Sequence, residues 1–241
     1  MQKKIYDQSP LTWSLQGRLY QVEYAMEAVN QGNLLLGIRS LTHVVLVGYK
    51  ATICDNLSYY SDKIFKVDSH IGVGIAGLTP DGRILYRDMK TECLNYTFIY
   101  NTKHPIENIV IKISEKSQLR TQRGENNRPY GVGMLIAGYD NTGPRLFRTC
   151  PSGNYYEYIC AAIGKRSQSA SAILENKLDL YEKMTLNELV MNAIQIMFCA
   201  QKGKVTKENI DVFIIGEGTD GRLLGEDEIE EVLVKLREET K

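Results

Sequence analysis

The sequence predicts an α+β fold in which two stacked antiparallel sheets lie between layers of helices. The predicted elements run in the order helix, strands, two helices, strands, two helices, strand, helix. Strands that are grouped between pairs of helices are typical of antiparallel sheets with helices on their outer faces. No stretch with the composition of a linker interrupts the chain, so we expect a single domain over residues 1–241.

The first helix is predicted over residues 18–31, after a polar N-terminal arm of residues 1–17. Its apolar residues recur at gaps of three and four, as one face of a helix requires: Leu19, Val22, Ala25, Met26 and Val29. Gly17 is the predicted N-cap, and Gly32 ends the helix just past the periodic run. The helix therefore leads directly into the next element.

That next element is a buried strand at 34–36, which forms a predicted hairpin with the apolar run 43–47. Further strands are predicted at 64–67, 71–75, 132–139, 146–149, 155–163 and 210–215. Gly72 and Gly74 alternate with apolar residues, which indicates that another backbone approaches the glycine face closely. Asp220 and Gly221 are predicted to form a hairpin turn.

The later helices carry recognisable start signals. Thr79 as N-cap, Pro80 at the first position and Asp81 in the first turn predict a helix that runs to about Tyr100. Further helices are predicted at 106–119, at 167–180, after a capping box at 185–188, and from 226 onward.

Composition excludes some classes of function. Hydrophobic residues make up 43% and charged residues 24% of the chain, which is ordinary for a soluble globular protein. The 29 basic residues balance the 29 acidic ones, so the chain lacks an electrostatic footprint for nucleic acid. No apolar run is long enough to span a membrane, and no hydrophobic run follows the first residues as in a signal peptide. Charge neutrality and 15 tyrosines favour a protein that works within a complex.

The chain offers little catalytic chemistry. His43, His70 and His104 do not lie at metal-ligand spacing, and we expect isolated histidines at the surface or at strand ends. The five cysteines form no Cys-x-x-Cys pair and indicate reduced, mostly buried thiols of an intracellular protein. The glycine-rich run 72–77 lacks the spacing of a phosphate loop. Lys165 and Arg166 precede a helix, where a solvated helix start is favoured over an anion site. We expect no metal and no cofactor.

Several segments together resemble the proteasome α-type subunit family. They extend over nearly the whole chain: Tyr6 and Asp7, 17–25 (GRLYQVEYA), 27–29, Gly32, 75–78 (IAGL), 128–132 (RPYGV), 138–140 (GYD) and 162–164 (AIG). Four further segments are most similar to the eukaryotic α type-1 group within that family: 121–123, 143–144, 149–152 and 166–170. The resemblance implies the N-terminal nucleophile hydrolase fold, a four-layer αββα sandwich.

The resemblance also implies that the chain is catalytically silent. In this family, proteolysis belongs to certain β-type subunits, which free an N-terminal Thr whose own amine assists its hydroxyl. The matching position here is Asn33, which has no hydroxyl and follows an intact helix. The family's supporting acid matches Tyr49 and its lysine matches Lys63, so only the lysine is retained and no catalytic residue is expected.

Gating is the first role that the resemblance implies. The N-terminal arms of related subunits close an axial channel and so control the admission of substrates. Residues matching Tyr6, Asp7 and Tyr24 hold those arms, although without the resemblance Tyr6 and Asp7 would be read as a mobile tail. The family's arm turns at a proline where this chain has Leu15, so the sequence leaves the reverse turn open.

Docking is the second role. Gly32, Lys63, Gly77 and Leu78 match a pocket between adjacent α subunits that receives the C-terminal tails of activators. Without the resemblance, Lys63 would be read as an ordinary lysine at a strand edge. The implied partners are neighbouring α subunits in a hetero-heptameric ring, β-ring subunits and regulatory particles in ubiquitin-dependent degradation, in the cytoplasm and the nucleus.

Two alternatives stay open at this point. The first is an active threonine peptidase of the same fold, which cleavage after Gly32 would reveal. The second is a free-standing enzyme or binding module that reuses the sandwich, which would behave as a monomer of 27.3 kDa.

Overall fold

The structure is a computed structural model that describes residues 9–50, 61–123 and 128–239. Its helices and strands follow in this order along the chain: α1 Tyr20–Gln31, β1 Leu35–Arg39, β2 His43–Tyr49, β3 Ile64–Asp68, β4 Ile71–Gly77, α2 Thr79–Tyr100, α3 Ile106–Gln122, β5 Val132–Asp140, β6 Gly143–Thr149, β7 Tyr155–Glu157, β8 Cys160–Ile163, α4 Ser167–Glu175, α5 Leu178–Tyr181, α6 Leu186–Ala200, β9 Ile210–Gly216, β10 Thr219–Leu223 and α7 Glu226–Glu239.

Ten strands form two five-stranded sheets in the part of the chain that the structure describes. The first has the order β10-β9-β2-β1-β8 and the second the order β3-β4-β5-β6-β7. Every strand pair is antiparallel. The sheets stack face to face. Alternate residues of a strand point to opposite sides, so each sheet has one face toward the other sheet and one face toward the helices. In β2, Val44 and Leu46 belong to the core between the sheets, whereas Val45 and Val47 face the outer helices.

Helices cover the outer face of each sheet. The core outside the first sheet includes residues of α4, α6 and α7, such as Leu174, Ile194 and Leu233. The core outside the second sheet includes residues of α2 and α3, such as Met89 and Val110. This arrangement confirms the predicted α+β sandwich with two antiparallel sheets between helix layers.

The glycine face of β4 packs against side chains rather than another backbone, which corrects one prediction. A Cβ atom on Gly72 would overlap the Phe213 ring, and one on Gly74 would overlap the Leu35 side chain. Phe213 and Leu35 both belong to the opposite sheet. The glycines therefore let the two sheets approach closely at large core residues.

Several element boundaries differ from the predicted ones. Helix α1 begins at Tyr20 with Leu19 as N-cap, while Gly17 belongs to the turn before it. Leu78, not Thr79, is the N-cap of α2. The helical stretch 167–180 is divided into α4 and α5.

The predicted hairpin turn at Asp220 and Gly221 is wrong. Both residues lie within β10, and the turn is formed by residues 217–218, where Gly218 adopts a φ of +66°. Gly221 instead serves close packing, because a Cβ atom there would lie 2.7 Å from Cζ of Phe213.

The described cysteines are free, as predicted, but only Cys93 is fully buried, while Cys150 and Cys160 are half-buried and Cys199 is exposed. The expectation of mostly buried thiols is therefore wrong for this part of the chain. Cys54 lies outside the described residues.

The expectation of isolated histidines at the surface or at strand ends is wrong for His104 and holds only in part for His70, which lies at the start of β4 but is not isolated. His70 and His104 are buried, and Nε2 of His70 donates a hydrogen bond to the His104 carbonyl oxygen at 2.8 Å. Burial holds the pKa of His104 below its ordinary value.

Candidate functional site

The candidate site begins where the end of α1 meets the end of β4. A Cβ atom on Gly32 would overlap the backbone nitrogen of Gly77. Gly77 has a φ of +111°, and a Cβ atom there would overlap the carbonyl oxygen of Gly131. Three backbones thus meet with no room for side chains, which explains why glycine is required at these positions. The contact brings Gly32 and Gly77 together, with Leu78 as the next residue, and the pocket that the resemblance implies stays a prediction.

The exposed side chain of Leu78 is held at this junction by Gly131. The Leu78 N–H donates a hydrogen bond to the Gly131 carbonyl oxygen at 2.9 Å. A Cβ atom on Gly131 would lie 2.8 Å from Cδ1 of Leu78, so the leucine side chain covers the glycine. Leu78 therefore presents an apolar surface directly beside the end of α1.

Asp81 fixes Gly131 from the opposite side. Its carboxylate accepts a hydrogen bond from the Gly131 N–H at 2.9 Å and two from the Arg128 guanidinium, at 2.5 and 2.8 Å. Burial by itself would raise the pKa of Asp81, but the hydrogen bonds from Arg128 and Gly131 outweigh it and hold the pKa below its ordinary value. The sequence did not predict this ion pair. It assigned Asp81 only to the start of a helix and Arg128 only to a segment that carries the resemblance.

Lys63 lies immediately before β3 and is only 7% exposed. Its Nζ donates a hydrogen bond to the Ile75 carbonyl oxygen at 3.1 Å, and its backbone N–H donates to Oδ2 of Asp211 at 2.9 Å. Burial lowers the pKa of Lys63 to about 8, although the nearby Asp211 carboxylate opposes this shift. The ammonium group is thus attached to β4 two residues before Gly77.

Of the three predicted gate residues, the structure describes only Tyr24. Tyr6 and Asp7 lie outside the described residues. Tyr24 is exposed on α1, and its ring stacks on Tyr20 with 6.2 Å between the ring centroids. The role of these three residues stays a prediction.

The sequence left open whether the arm makes a reverse turn at Leu15. Residues 14–18 form a closed reverse turn. The Gly17 N–H donates to the Ser14 carbonyl oxygen at 2.9 Å, and the Ser14 N–H donates to the Arg18 carbonyl oxygen at 2.9 Å. Gly17 adopts a φ of +73°, which glycine tolerates readily. The arm therefore turns here without a proline.

Asn33 continues directly from α1 through Gly32 into the first strand. The Gly32 carbonyl oxygen accepts a hydrogen bond from the Lys165 N–H at 2.6 Å, and a Cβ atom on Gly164 would overlap the Asn33 carbonyl oxygen. The Arg166 guanidinium donates to the Ala200 carbonyl oxygen at 3.3 Å. The Lys165 N–H therefore supports the chain ahead of Asn33, and Lys165 and Arg166 are both exposed directly before α4, as expected of a solvated helix start.

Other kinds of site find no support within the described ranges. No group of three or more His, Cys, Asp or Glu side chains there could hold a metal ion. Within the same ranges, no helix combines the length and apolar character needed to cross a bilayer.

Comparison with known proteins identifies two matching family profiles. The profile described as "Proteasome subunit" matches residues 29–215, and the profile of the N-terminal signature of A-type proteasome subunits matches residues 6–28. The two matches meet within α1, so the N-terminal signature includes the predicted gate residues.

Similar proteins align over almost the entire chain. The alpha type-1 proteasome subunit of Dictyostelium discoideum is 39% identical over 242 residues, with 99% of this chain and 97% of that protein covered. The protein of the same name from Trypanosoma brucei rhodesiense is 41% identical, with 97% and 88% covered. The probable alpha type-6 proteasome subunit of Schizosaccharomyces pombe is 40% identical, with 96% and 85% covered.

Proposed function

The chain belongs to the proteasome α-type subunit family, and from this premise we propose that it gates the axial channel and docks activators. As a non-catalytic subunit of the α ring of the 20S core, it serves protein degradation through assembly with other proteasome subunits. The observation that supports the proposal is the close contact of Gly32 with Gly77, which precedes Leu78 and lies two residues beyond Ile75, whose carbonyl oxygen accepts the hydrogen bond from Lys63.

The proposed lack of peptidase activity rests on the chemistry at Asn33. An amide side chain offers no hydroxyl nucleophile, and a nitrogen within a peptide bond cannot act as a base. The position of the supporting acid is occupied by Tyr49, so Lys63 has no catalytic partner of the kind the family uses. A lysine alone does not hydrolyse peptides, and the scaffold therefore serves assembly and gating.

The proposed docking role uses Lys63 and the glycine junction. A C-terminal carboxylate that meets an ammonium group and backbone N–H donors in a partly buried pocket forms charge-assisted hydrogen bonds. Leu78 supplies an apolar contact for the side chains of the tail. We propose that activator tails bind here, between this chain and a neighbouring α subunit.

The proposed partners are neighbouring subunits in a hetero-heptameric α ring, subunits of the β ring, and regulatory particles. Exposed apolar side chains on the described surface fit a protein that is covered by partners. The C-terminal part of α2 exposes Leu94, Ile99 and Tyr100, and Phe98 is 91% exposed. Several exposed large apolar side chains on one helix are typical of interaction sites.

We propose that the chain works in the cytoplasm and the nucleus. The free thiols of the described cysteines fit a reducing compartment. Fluorescence imaging of the endogenously tagged chain tests this proposal, and a signal confined to a membrane-bounded secretory compartment would contradict it.

Size-exclusion chromatography of the endogenous chain tests the proposed function as a whole. We expect the chain in a particle many times larger than its own 27.3 kDa, together with peptidase activity from other subunits. Elution of the entire pool as a monomer would favour the free-standing enzyme or binding module instead.

A further inference from the structure

An acidic side chain lies on a face of β9 that otherwise belongs to the core between the sheets. Alternate residues of a strand point to the same side, so Asp211 shares its face with Phe213 and Ile215. Both of these apolar residues are buried between the two sheets. A carboxylate beside such a core costs free energy unless it is paired and hydrogen-bonded. The partners of Asp211 therefore indicate what it does there.

The two carboxylate oxygens of Asp211 contact two different lysines. Oδ1 lies 2.8 Å from Nζ of Lys50, and Oδ2 accepts a hydrogen bond from the backbone N–H of Lys63 at 2.9 Å. The side chains of Lys50 and Asp211 are only 14% and 12% exposed, so solvent screens this ion pair weakly. The Lys50 N–H also donates to the Asn209 carbonyl oxygen at 2.7 Å. The ion pair is thus fixed at the start of β9 and joined to the backbone of Lys63.

Asp211 binds the backbone of Lys63 and leaves its ammonium group to other partners. Nζ of Lys63 donates to the Ile75 carbonyl oxygen, and among the described residues no carboxylate forms an ion pair with it. An ammonium group has three donors, so it retains capacity for a further carboxylate. Gly48, which pairs with Asp211 across β2 and β9, leaves room for the Lys63 stem, because a Cβ atom there would lie 2.9 Å from Cβ of Lys63. Tyr49 packs against the core outside the first sheet.

Asp211 also acts on the charge of Lys63. Burial lowers the pKa of Lys63 to about 8, and the negative charge of Asp211 opposes this shift. Strand β4, which accepts the hydrogen bond from Nζ, carries no ionisable side chain. Asp62 and Lys66, on either side along the chain, are exposed to solvent. Lys50 is already paired with Asp211, so it reduces the effect of that carboxylate on Lys63.

We propose that Asp211 is a positioning residue for the docking site: it holds the backbone of Lys63, leaves the ammonium group available to an incoming carboxylate, and keeps that group charged near neutral pH. This inference rests on the proposed docking role of Lys63. It assigns opposite effects to the two members of one ion pair. Loss of the Asp211 charge should discharge Lys63 more readily, and loss of the Lys50 charge should do the reverse.

The experiment measures binding of a fluorescent peptide with a free C-terminal carboxylate to assembled particles, by anisotropy, from about pH 6 to about pH 9.5, on either side of the Lys63 pKa of about 8. The same peptide with a C-terminal amide shows how much of the binding needs the carboxylate. Binding at this site is the part that is lost in Lys63→Ala particles. Its midpoint with respect to pH is the quantity compared among variants.

Asp211→Asn removes the charge and retains an acceptor. The amide oxygen can still accept the hydrogen bond from the Lys63 N–H, so the backbone stays in place. Without the carboxylate, the pKa of Lys63 falls further, and the midpoint should move to lower pH by about half a unit to one unit. Each unit corresponds to an approximately tenfold change in the charged fraction above the midpoint.

Lys50→Met removes the partner of Asp211 and should have the opposite effect. The unpaired carboxylate then stabilises the Lys63 ammonium more strongly, so the midpoint should move to higher pH. A purely structural role of the ion pair predicts something different. Both variants would then weaken binding at every pH and leave the midpoint where it is.

Asp220→Asn is the matched control. Asp220 is an exposed acid on β10, the neighbour of β9 in the same sheet. Its loss changes the net charge by the same amount as Asp211→Asn, and the midpoint should equal that of wild type. A shift as large as that of Asp211→Asn would overturn the inference, because it would show that any acid of this sheet has the same effect.

The variants also separate the inference from the function on which it rests. If Lys63→Ala particles bind the carboxylate peptide like wild type, the proposed docking role is wrong. If they lose binding while Asp211→Asn and Lys50→Met keep the wild-type midpoint, docking stands and the role of Asp211 is wrong. If Asp211→Asn particles fail to assemble, Lys50→Met decides alone: a higher midpoint supports the inference, and an unchanged or lower one overturns it.

Discussion

Nζ of Lys63 donates a hydrogen bond to the carbonyl oxygen of Ile75 at 3.1 Å, inside the edge of the second sheet. The bond ties the ammonium group to β4, two residues before Gly77, whose backbone lies against Gly32. A carboxylate that reaches this site meets a charge whose position is already fixed, so little side-chain entropy is lost on binding.

The first prediction concerns loss of this charge. Lys63→Ala should reduce stimulation of peptide hydrolysis by an activator several-fold, because the tail carboxylate loses its charge-assisted partner. Assembled particles should form normally. Peptide hydrolysis is measured as a function of activator concentration, with native gels as the check on assembly.

Lys66→Ala is the control for Lys63→Ala. Lys66 lies three positions further along, within β3, and its side chain is exposed to solvent. Its loss should leave stimulation unchanged. Wild-type stimulation of Lys63→Ala particles would contradict the assignment of the pocket or show that another pocket of the ring dominates.

The second prediction follows from the pKa of Lys63, which burial lowers to about 8. The ammonium form is abundant near neutral pH and disappears as the pH rises through this pKa, so docking of a carboxylate should weaken with rising pH. We expect activator affinity to fall between about pH 7 and about pH 9. Affinity measured across that range by titration of activator tests the direction.

Lys63→Arg supplies the comparison for the pH series. A guanidinium keeps its charge throughout this range, so the variant should show a flatter dependence on pH even if its affinity is lower. A fall of the same size in wild-type and Lys63→Arg particles would assign the dependence to another group.

The third prediction separates backbone strain from steric overlap at two glycines. Gly77 and Gly143 both adopt positive φ, at +111° and +104°, but only Gly77 of this pair lacks space for a Cβ atom. Gly143→Ala should cost about 1 to 2 kcal/mol through backbone strain alone. Gly77→Ala adds an overlap with the Gly131 carbonyl oxygen, so it should lower both the yield and the thermal midpoint of assembled particles far more. Equal midpoints would contradict the close contact of the two backbones.

The fourth prediction concerns the ion pair of Asp81 with Arg128. Arg128→Ala leaves a buried carboxylate with only the Gly131 N–H as a hydrogen-bond partner among the described residues, and should destabilise the chain by about 1 to 2 kcal/mol after allowance for the exposed guanidinium. The pKa of Asp81 should rise toward its ordinary value. Thermal midpoints of particles are compared with those of Arg237→Ala, which removes an exposed pair at 3.8 Å.

The lowered pKa of Asp81 also fixes how the stability contributed by this ion pair changes as the pH falls. Because the pKa of Asp81 is lowered in the folded chain, its contribution to stability is present above the ordinary carboxylate pKa and is lost as the pH falls below that value. Wild-type and Arg128→Ala particles should therefore converge in thermal midpoint under acid conditions. A gap that stays constant down to low pH would contradict a stabilising charge interaction.

The elements predicted best from sequence are those that depend on local patterns. The spacing of five apolar residues predicted one stripe on α1, and three of them, Val22, Ala25 and Val29, are buried. Met26 is exposed, and Leu19 is the half-buried N-cap. The capping box at Thr185 is present at the start of α6. These features depend on residues a few positions apart, which a single sequence displays directly.

Features that depend on distant partners were missed or misplaced. Gly221 was predicted to be a turn residue. It lies in β10 instead, where it packs closely against the Phe213 ring of the neighbouring strand. Asp81 and Arg128 are 47 positions apart, and nothing in their local sequence pairs them. The bond from Lys63 to Ile75 depends on the register of β3 against β4, which shifts between Lys66 and Asp68, and the hydrophobic pattern does not display such an irregularity.

The intact mass of this chain, released from purified endogenous particles, decides whether it remains a non-catalytic subunit with α1 still joined to the first strand. We predict a mass that includes Gly32 and the helix before it. A mature form that begins at Asn33, in particles whose other subunits are inactivated but which still cleave peptides, would contradict this conclusion.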